Sequence, residues 1–246
     1  MFLDYSENGK SIRADLVKPH PIGVTVSRKQ GVSSFEIESA IYKDYQSGDL
    51  IGNKLKGGPC NLETISFTPH GNSTHTECLG HIATDRPYRV NELINDTFYS
   101  AELITVDTKV TDGQNALDFE SINWDSINPK CLVIRSLPNG FVKTRTDYSG
   151  QNAPAILPKD MMKIVEAGIQ HILIDLPSVD PEWDGGKLSS HHIFWNYPEK
   201  PRFNCSITEF CFISDEVKDG KYILKLNIAP FESDASPSSP VLYPLV

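Results

Sequence analysis

The sequence predicts an α/β or α+β domain in which a mostly β scaffold carries a few helices. Short stretches rich in β-branched and aromatic residues recur along the chain, each bounded by Gly, Pro, Asn or Asp. One segment, 158–167, has a clear helical period with signals at both ends, and it runs directly into the apolar stretch Ile172, Leu173, Ile174. With 246 residues, 39% hydrophobic and 22% charged, the chain can bury a real core. No repeat, low-complexity tract or Pro/Gly/Ser-rich linker divides it, so one domain over 1–246 is expected.

In chain order, strands are expected at 22–27, 62–68, 101–107, 131–136, 172–175, 206–213 and 222–228. In 62–68, Ile65 and Phe67 fall on one face and Thr64 and Ser66 on the other, and Pro69 ends the run. Segment 30–58 has no clean period and reads as a lid, an excursion or an irregular hairpin. Segment 88–95 is a helix or turn candidate. In 158–167, Pro158 suits a first helical turn, Met161, Ile164 and Val165 repeat at i, i+3, i+4, and Gly168 stands as the C-terminal cap.

The charge balance, 23 basic against 32 acidic residues for a net −9, argues against nucleic acid and anionic membrane surfaces as partners, since the cations are scattered. Beyond its first three residues the N-terminus is polar, giving no signal-peptide core, and no apolar run is long enough to span a bilayer. The expectation is a cytoplasmic protein. Cysteines 60, 78, 131, 205 and 211 form no C-x-x-C pair, which argues against a disulfide framework and a thiolate zinc site. Cys78 lies inside a histidine cluster; it reads first as a buried core thiol, with a functional thiol as the alternative.

That cluster carries the chemistry. After Pro69 comes a polar, glycine-containing loop with His70, His75, Glu77 and His81 within twelve residues. Imidazole and carboxylate together suit Zn²⁺, Mn²⁺ or Fe²⁺, and a loop at a strand end can fold several of them onto one ion. A second polar group lies downstream: Asp175, Ser178 and Asp180, then Ser189, Ser190, His191 and His192 after the Gly185-Gly186 pair. Read as extended chain, adjacent histidines point opposite ways, so only one of His191 and His192 should face a shared ion. Glu209, between Thr208 and Phe210 in a strand-like run, is a carboxylate in an apolar setting and needs a partner, a metal or an arginine.

These residues resemble the H-x-G-T-H-x-D-x-P-x-H signature of the cyclase family, which includes bacterial kynurenine formamidase and isatin hydrolase. Thr74, His75, Glu77 and His81 fall on its Thr, second histidine, acidic residue and last histidine. The likeness continues through Asp175-Leu-Pro-Ser-Val-Asp-Pro, Ser190-His191, Glu209, Asp219-Gly-Lys-Tyr and Ala235-Ser-Pro, from about residue 60 onward. The resemblance implies a swivelling β/β/α fold, a homodimer and one or two divalent ions, Zn²⁺ or Mn²⁺. It casts His75 and Glu77 as ligands, with Glu77 able to bridge two ions, His191 and Glu209 as completing a second metal position, and His81 as general acid/base. The chain departs from the signature at four places. Gly71 stands where the family has its first histidine and His70 precedes it by one, so either Asn72 is an insertion that restores His70 as a ligand or that ligand is missing. Glu77 replaces Asp and lengthens the arm by one methylene; Leu79 replaces Pro and Ser73 replaces Gly.

The expected activity is hydrolysis of a small formamide, lactam or cyclic amide by metal-activated water, with His81 moving the proton. Two other classes compete with it: a non-catalytic member that binds a small molecule or partner chain, and a metal-free hydrolase with Cys78 as nucleophile beside His75 or His81. Phe35, Tyr42, Phe194, Trp195 and Tyr197 could line a pocket for a planar substrate, or serve as core or dimer interface.

Overall fold

The computed structural model describes residues 1–7 and 9–246. Its centre is a nine-stranded mixed sheet. In chain order the strands are β1 His20–Pro21, β2 His75–Glu77, β3 Phe98–Val106, β4 Cys131–Ser136, β5 His171–Ile174, β6 Ser206–Glu209, β7 Gly220–Lys225, β8 Ala235–Pro237 and β9 Val241–Pro244. Their order across the sheet is β8-β2-β6-β5-β4-β3-β7-β9-β1. Strands β3, β4, β5 and β6 run parallel, and the flanking strands pair antiparallel. The parallel strands β4 and β5 are buried at every position, as expected for strands covered on both faces.

The expected α/β architecture with a mostly β scaffold is therefore observed. Among the described residues there are four α-helices: α1 Pro69–Asn72, α2 Val90–Leu93, α3 Pro158–Glu166 and α4 Ser189–Trp195. None is long and apolar enough to cross a membrane. Met161 and Ile164 of α3 are buried, and α3 packs against α4, whose Phe194 and Trp195 are fully buried in the same core as Leu132, Ile172 and Leu173. Gly168 has φ +81°, the left-handed conformation that ends α3.

Several strand expectations are corrected. Residues 22–27 form no strand beyond β1, because their backbone groups bond to loops: the Ile22 amide donates to the Pro240 carbonyl and the Val24 amide to the Thr74 hydroxyl, at 2.6 Å. The run 206–213 stops at Glu209, where Phe210 turns to φ +54°. Of 62–68, only Glu63–Ser66 is strand, and it pairs with Ile41–Asp44 in a two-stranded ribbon separate from the main sheet, leaving Ile65 half exposed. Segment 30–58 contributes that partner strand and a small hairpin, Gln46–Ser47 with Leu50–Ile51. Near its start it is tied down by the Ser33 amide donating to Thr146 and the Tyr148 amide donating to Ser33.

Candidate metal centre

The segment read as a histidine loop is three short elements in series. Helix α1 carries His70, β2 carries His75 and Glu77, and a single 3₁₀ turn, Leu79–His81, carries His81. β2 lies between β8 and β6, and all three of its residues are buried. Alternation sends His75 and Glu77 to one face, while Thr76 on the other bonds to Thr208 at 2.8 Å and Ser238 at 2.9 Å. In the antiparallel register Glu209 lies directly opposite His75, so the sheet itself brings these two together across 134 positions of sequence.

Two glycines make the turns possible. A Cβ on Gly71 would lie 2.6–2.8 Å from Ile37, and one on Gly80 would lie 2.2 Å from the Tyr88 carbonyl oxygen. The position where the family signature has its first histidine is thus filled by Ile37. Helix α1 instead places the neighbouring His70 at the cluster, its Nδ1 3.3 Å from Glu77 Oε2.

The donors converge. His75, Glu77 and Glu209 offer ligand atoms that all lie within 4.8 Å of one another, and so do His70, Glu77 and His81; Glu77 is common to both groups. Its Oε1 lies 3.0 Å from His191 Nε2, and its Oε2 lies 3.3 Å from His70 Nδ1 and 3.7 Å from His81 Nδ1. The ring centres of His70 and His81 lie 4.5 Å apart with their planes tilted by 34°, and His81 lies 5.2 Å from His191. All six residues expected at the site therefore meet there. His192 does not; its Nδ1 donates to the Tyr197 carbonyl. The pair sits on helix α4 rather than on the extended chain that the sequence suggests, and it is His191 that faces Glu77.

Hydrogen bonds on the far side of each ring fix which nitrogen faces inward. His75 Nδ1 lies 3.1 Å from the Ser73 carbonyl, which can only accept, so the proton is on Nδ1 and the Nε2 lone pair points at Glu209 Oε2, 3.4 Å away. His191 Nδ1 donates to Asp180 Oδ2 at 2.6 Å, so Nε2 faces Glu77. Asp180 also accepts from the Ser190 and His191 amides, capping α4 from outside it. Glu209 is held by the Val179 amide at 3.0 Å. An imidazole oriented by a carboxylate or carbonyl behind it is the usual support of a metal-binding histidine.

Charge decides what the cluster needs. His75 Nε2 and Glu77 Oε2 are buried without a hydrogen-bond partner. Burial opposes a charge on His191, yet Glu77, Asp180 and Glu209 outweigh it and push its pKa up to about 10. His70 behaves alike: burial opposes the charge, while the neighbouring carboxylates of Asp234 and Glu77 push it up to about 10. The Glu77 carboxyl, against the cost of burial, is held well below the usual range by His81, His191 and His70. Such a cluster calls for positive charge, which either protons or a cation can provide.

Some expectations fall elsewhere. Asp175 faces away from the cluster and accepts from the Ser136 amide and from Lys143 at 2.8 Å. Phe194 and Trp195 are core, and the Tyr42 hydroxyl is spent on the Val26 carbonyl. Among the described residues no arginine pairs with Glu209. Cys78 is fully buried, and burial pushes its thiol up to about 12. The residue that the sequence did not reveal is Asp234, whose Oδ2 lies 2.9 Å from His70 Nε2 and 3.4 Å from His81 Nδ1. Its only sequence signal is its place directly before the Ala235-Ser-Pro stretch.

Residues 19–181 match the family model described as "Putative cyclase". The chain belongs to the cyclase family. Within and beyond the family match, the chain is 24% identical over 204 residues to a kynurenine formamidase of Bacillus cytotoxicus, covering 81% of this chain and 88% of that protein. A kynurenine formamidase of Bacillus anthracis is likewise 24% identical, over 207 residues, with the same shares covered. Among solved structures, the cyclase-family fold recurs in isatin hydrolase A from Labrenzia aggregata, with TM-score 0.63, 13% identity, and 92% of this chain and 93% of that one covered. It recurs also in a protein described as a potential metal-dependent hydrolase with cyclase activity, with TM-score 0.64, 13% identity, and 92% and 97% covered.

Proposed function

We propose that this cyclase-family protein is a metal-dependent hydrolase of a small formamide, lactam or cyclic amide, with His70, His75, Glu77, His191 and Glu209 holding one or two divalent ions, Zn²⁺ or Mn²⁺. The observation that carries the reading is the pair of buried, unpartnered atoms His75 Nε2 and Glu77 Oε2. An unsatisfied lone pair in a dry site costs about 1–3 kcal/mol, and a cation satisfies both at once. The donor set of imidazoles and carboxylates is the set such ions prefer. Names of the relatives support the reaction class, since both formamides and isatin present an amide carbonyl to water.

A bound ion of this kind supplies Lewis acidity toward the carbonyl and lowers the pKa of water toward neutrality. The chain does the rest. Ser73 and Asp180 hold His75 and His191 in the ligating tautomer. Glu77, central to both donor groups, balances the charge. His81, a quarter exposed at the side of the cluster, takes the proton from water and returns it to the leaving nitrogen. A thiol nucleophile is disfavoured, because Cys78 is buried and its thiolate is scarce at neutral pH.

The test is hydrolysis of the formamide of kynurenine and of isatin by protein reloaded with Zn²⁺ or Mn²⁺. Turnover that chelator abolishes and metal restores is expected. Turnover insensitive to chelator but blocked by thiol alkylation would overturn the reading.

A further inference from the structure

Asp234 belongs to neither group of convergent donors. It stands in the loop before β8, where its carbonyl accepts from the Cys78 amide at 3.0 Å and so fixes it beside the end of β2. Its Oδ1 accepts from the Ser233 hydroxyl at 3.0 Å, which leaves Oδ2 for two imidazoles: His70 Nε2 at 2.9 Å and His81 Nδ1 at 3.4 Å.

His81 Nδ1 has two competing uses. It lies near enough to Glu77 Oε2, at 3.7 Å, to join His70 and Glu77 around an ion, which would need its lone pair. It also faces Asp234, which needs a proton on the same nitrogen, because a carboxylate only accepts. One nitrogen of a neutral imidazole cannot do both. The nearer oxygen belongs to Asp234. We infer that Asp234 is a positioning residue that keeps His81 out of the ligand set and leaves its Nε2 free to move the proton. In the neutral ring of His70 the same oxygen places the proton on Nε2 and turns the Nδ1 lone pair toward Glu77, so one carboxylate sorts two neighbouring histidines into a ligand and a shuttle.

The activity arm of the test rests on the hydrolase reading above; the tautomer arm does not. Protein with ¹⁵N-labelled histidine, with and without Zn²⁺, is compared as wild type, Asp234→Ala and Asp234→Glu by long-range ¹H–¹⁵N correlation, at a pH where the His81 ring is neutral. In wild type the His81 proton should sit on Nδ1; in Asp234→Ala it should leave Nδ1, and Asp234→Glu should restore it in part. On the formamide of kynurenine, Asp234→Ala should lower kcat about 100-fold, the scale of a lost general acid/base, with KM changed less than about threefold on the same argument and zinc content retained. An unchanged His81 tautomer in Asp234→Ala overturns the inference. So does a fall in zinc content with kcat per bound zinc unchanged, which would make Asp234 a ligand. If wild type binds no zinc and hydrolyses neither amide, the hydrolase reading fails, while the zinc-free spectra still decide the role of Asp234.

Discussion

Strand β6 has a buried histidine environment at each end, and the two are opposites. At its start, Ser206 Oγ lies 2.8 Å from Nδ1 of His171, a ring packed 4.2 Å from Tyr99. At its end, three residues on, Glu209 faces His75 and His191. Burial pushes the His171 pKa down to about 3, helped by the nearby cations Lys130 and Arg202. The same burial acts on His191, yet its carboxylate neighbours raise it to about 10. Desolvation beside cations therefore makes a neutral structural histidine. A shared set of carboxylates makes a site that demands cations.

The change that breaks this contrast most is Glu77→Ala, which removes the carboxylate common to both donor groups. Metal should be lost, and amide hydrolysis should fall on the order of 10³-fold or more, the equivalent of several kcal/mol of Lewis-acid stabilisation. Elemental analysis and turnover on the same sample check it. Next comes Asp180→Ala, which leaves the ligands in place but frees the His191 ring behind them. Chelator competition should show zinc affinity lower by roughly 10- to 100-fold, the usual cost of losing such a support.

The other end of β6 sharpens the comparison through pH. His171 folds with a pKa near 3 against 6.5 unfolded, so between those values the unfolded chain binds a proton that the folded one refuses. Its contribution makes stability fall as pH drops through that window, by at most about 1.4 kcal/mol per unit. Urea unfolding of His171→Gln should therefore lose less stability than wild type between pH 7 and 4.5, by about 2 kcal/mol, with zinc content unchanged. His70 and His191 have the opposite sign. Their folded pKa values near 10 exceed 6.5, so in metal-free protein their contribution is complete below 6.5 and is lost as pH rises through 10. A cation replaces those protons. Calorimetry of Zn²⁺ binding at pH 8, in buffers of different ionisation enthalpy, should show proton release, at most about two per chain from these rings.

How much of this was legible follows from where the donors lie in sequence. His70, His75, Glu77 and His81 stood out because they crowd one short segment, and helix α3 because its period and caps agree. β2 was hidden: a fully buried strand made of His-Thr-Glu has no apolar alternation, since its inward positions are spent on ligands. Asp234 was hidden for another reason. It is a lone acid with no ligand-spaced neighbour, brought to the site only by the pairing of β8 with β2. His191 and Glu209 stand out in the sequence as polar residues that need partners, but their ligand roles come from the resemblance to the family, because their contacts with Glu77 and His75 span more than a hundred positions. The β-branched residues of 22–27 have the composition of a strand but fill a loop whose amides bond to Pro240 and Thr74.

Metal content tests the central claim most directly. Purified protein, incubated with Zn²⁺ or Mn²⁺ and freed of excess, should hold at least one ion per chain by elemental analysis. His171→Gln should hold the same amount, and Glu77→Ala close to none. Wild type without stoichiometric metal, or Glu77→Ala with as much as wild type, would contradict the account.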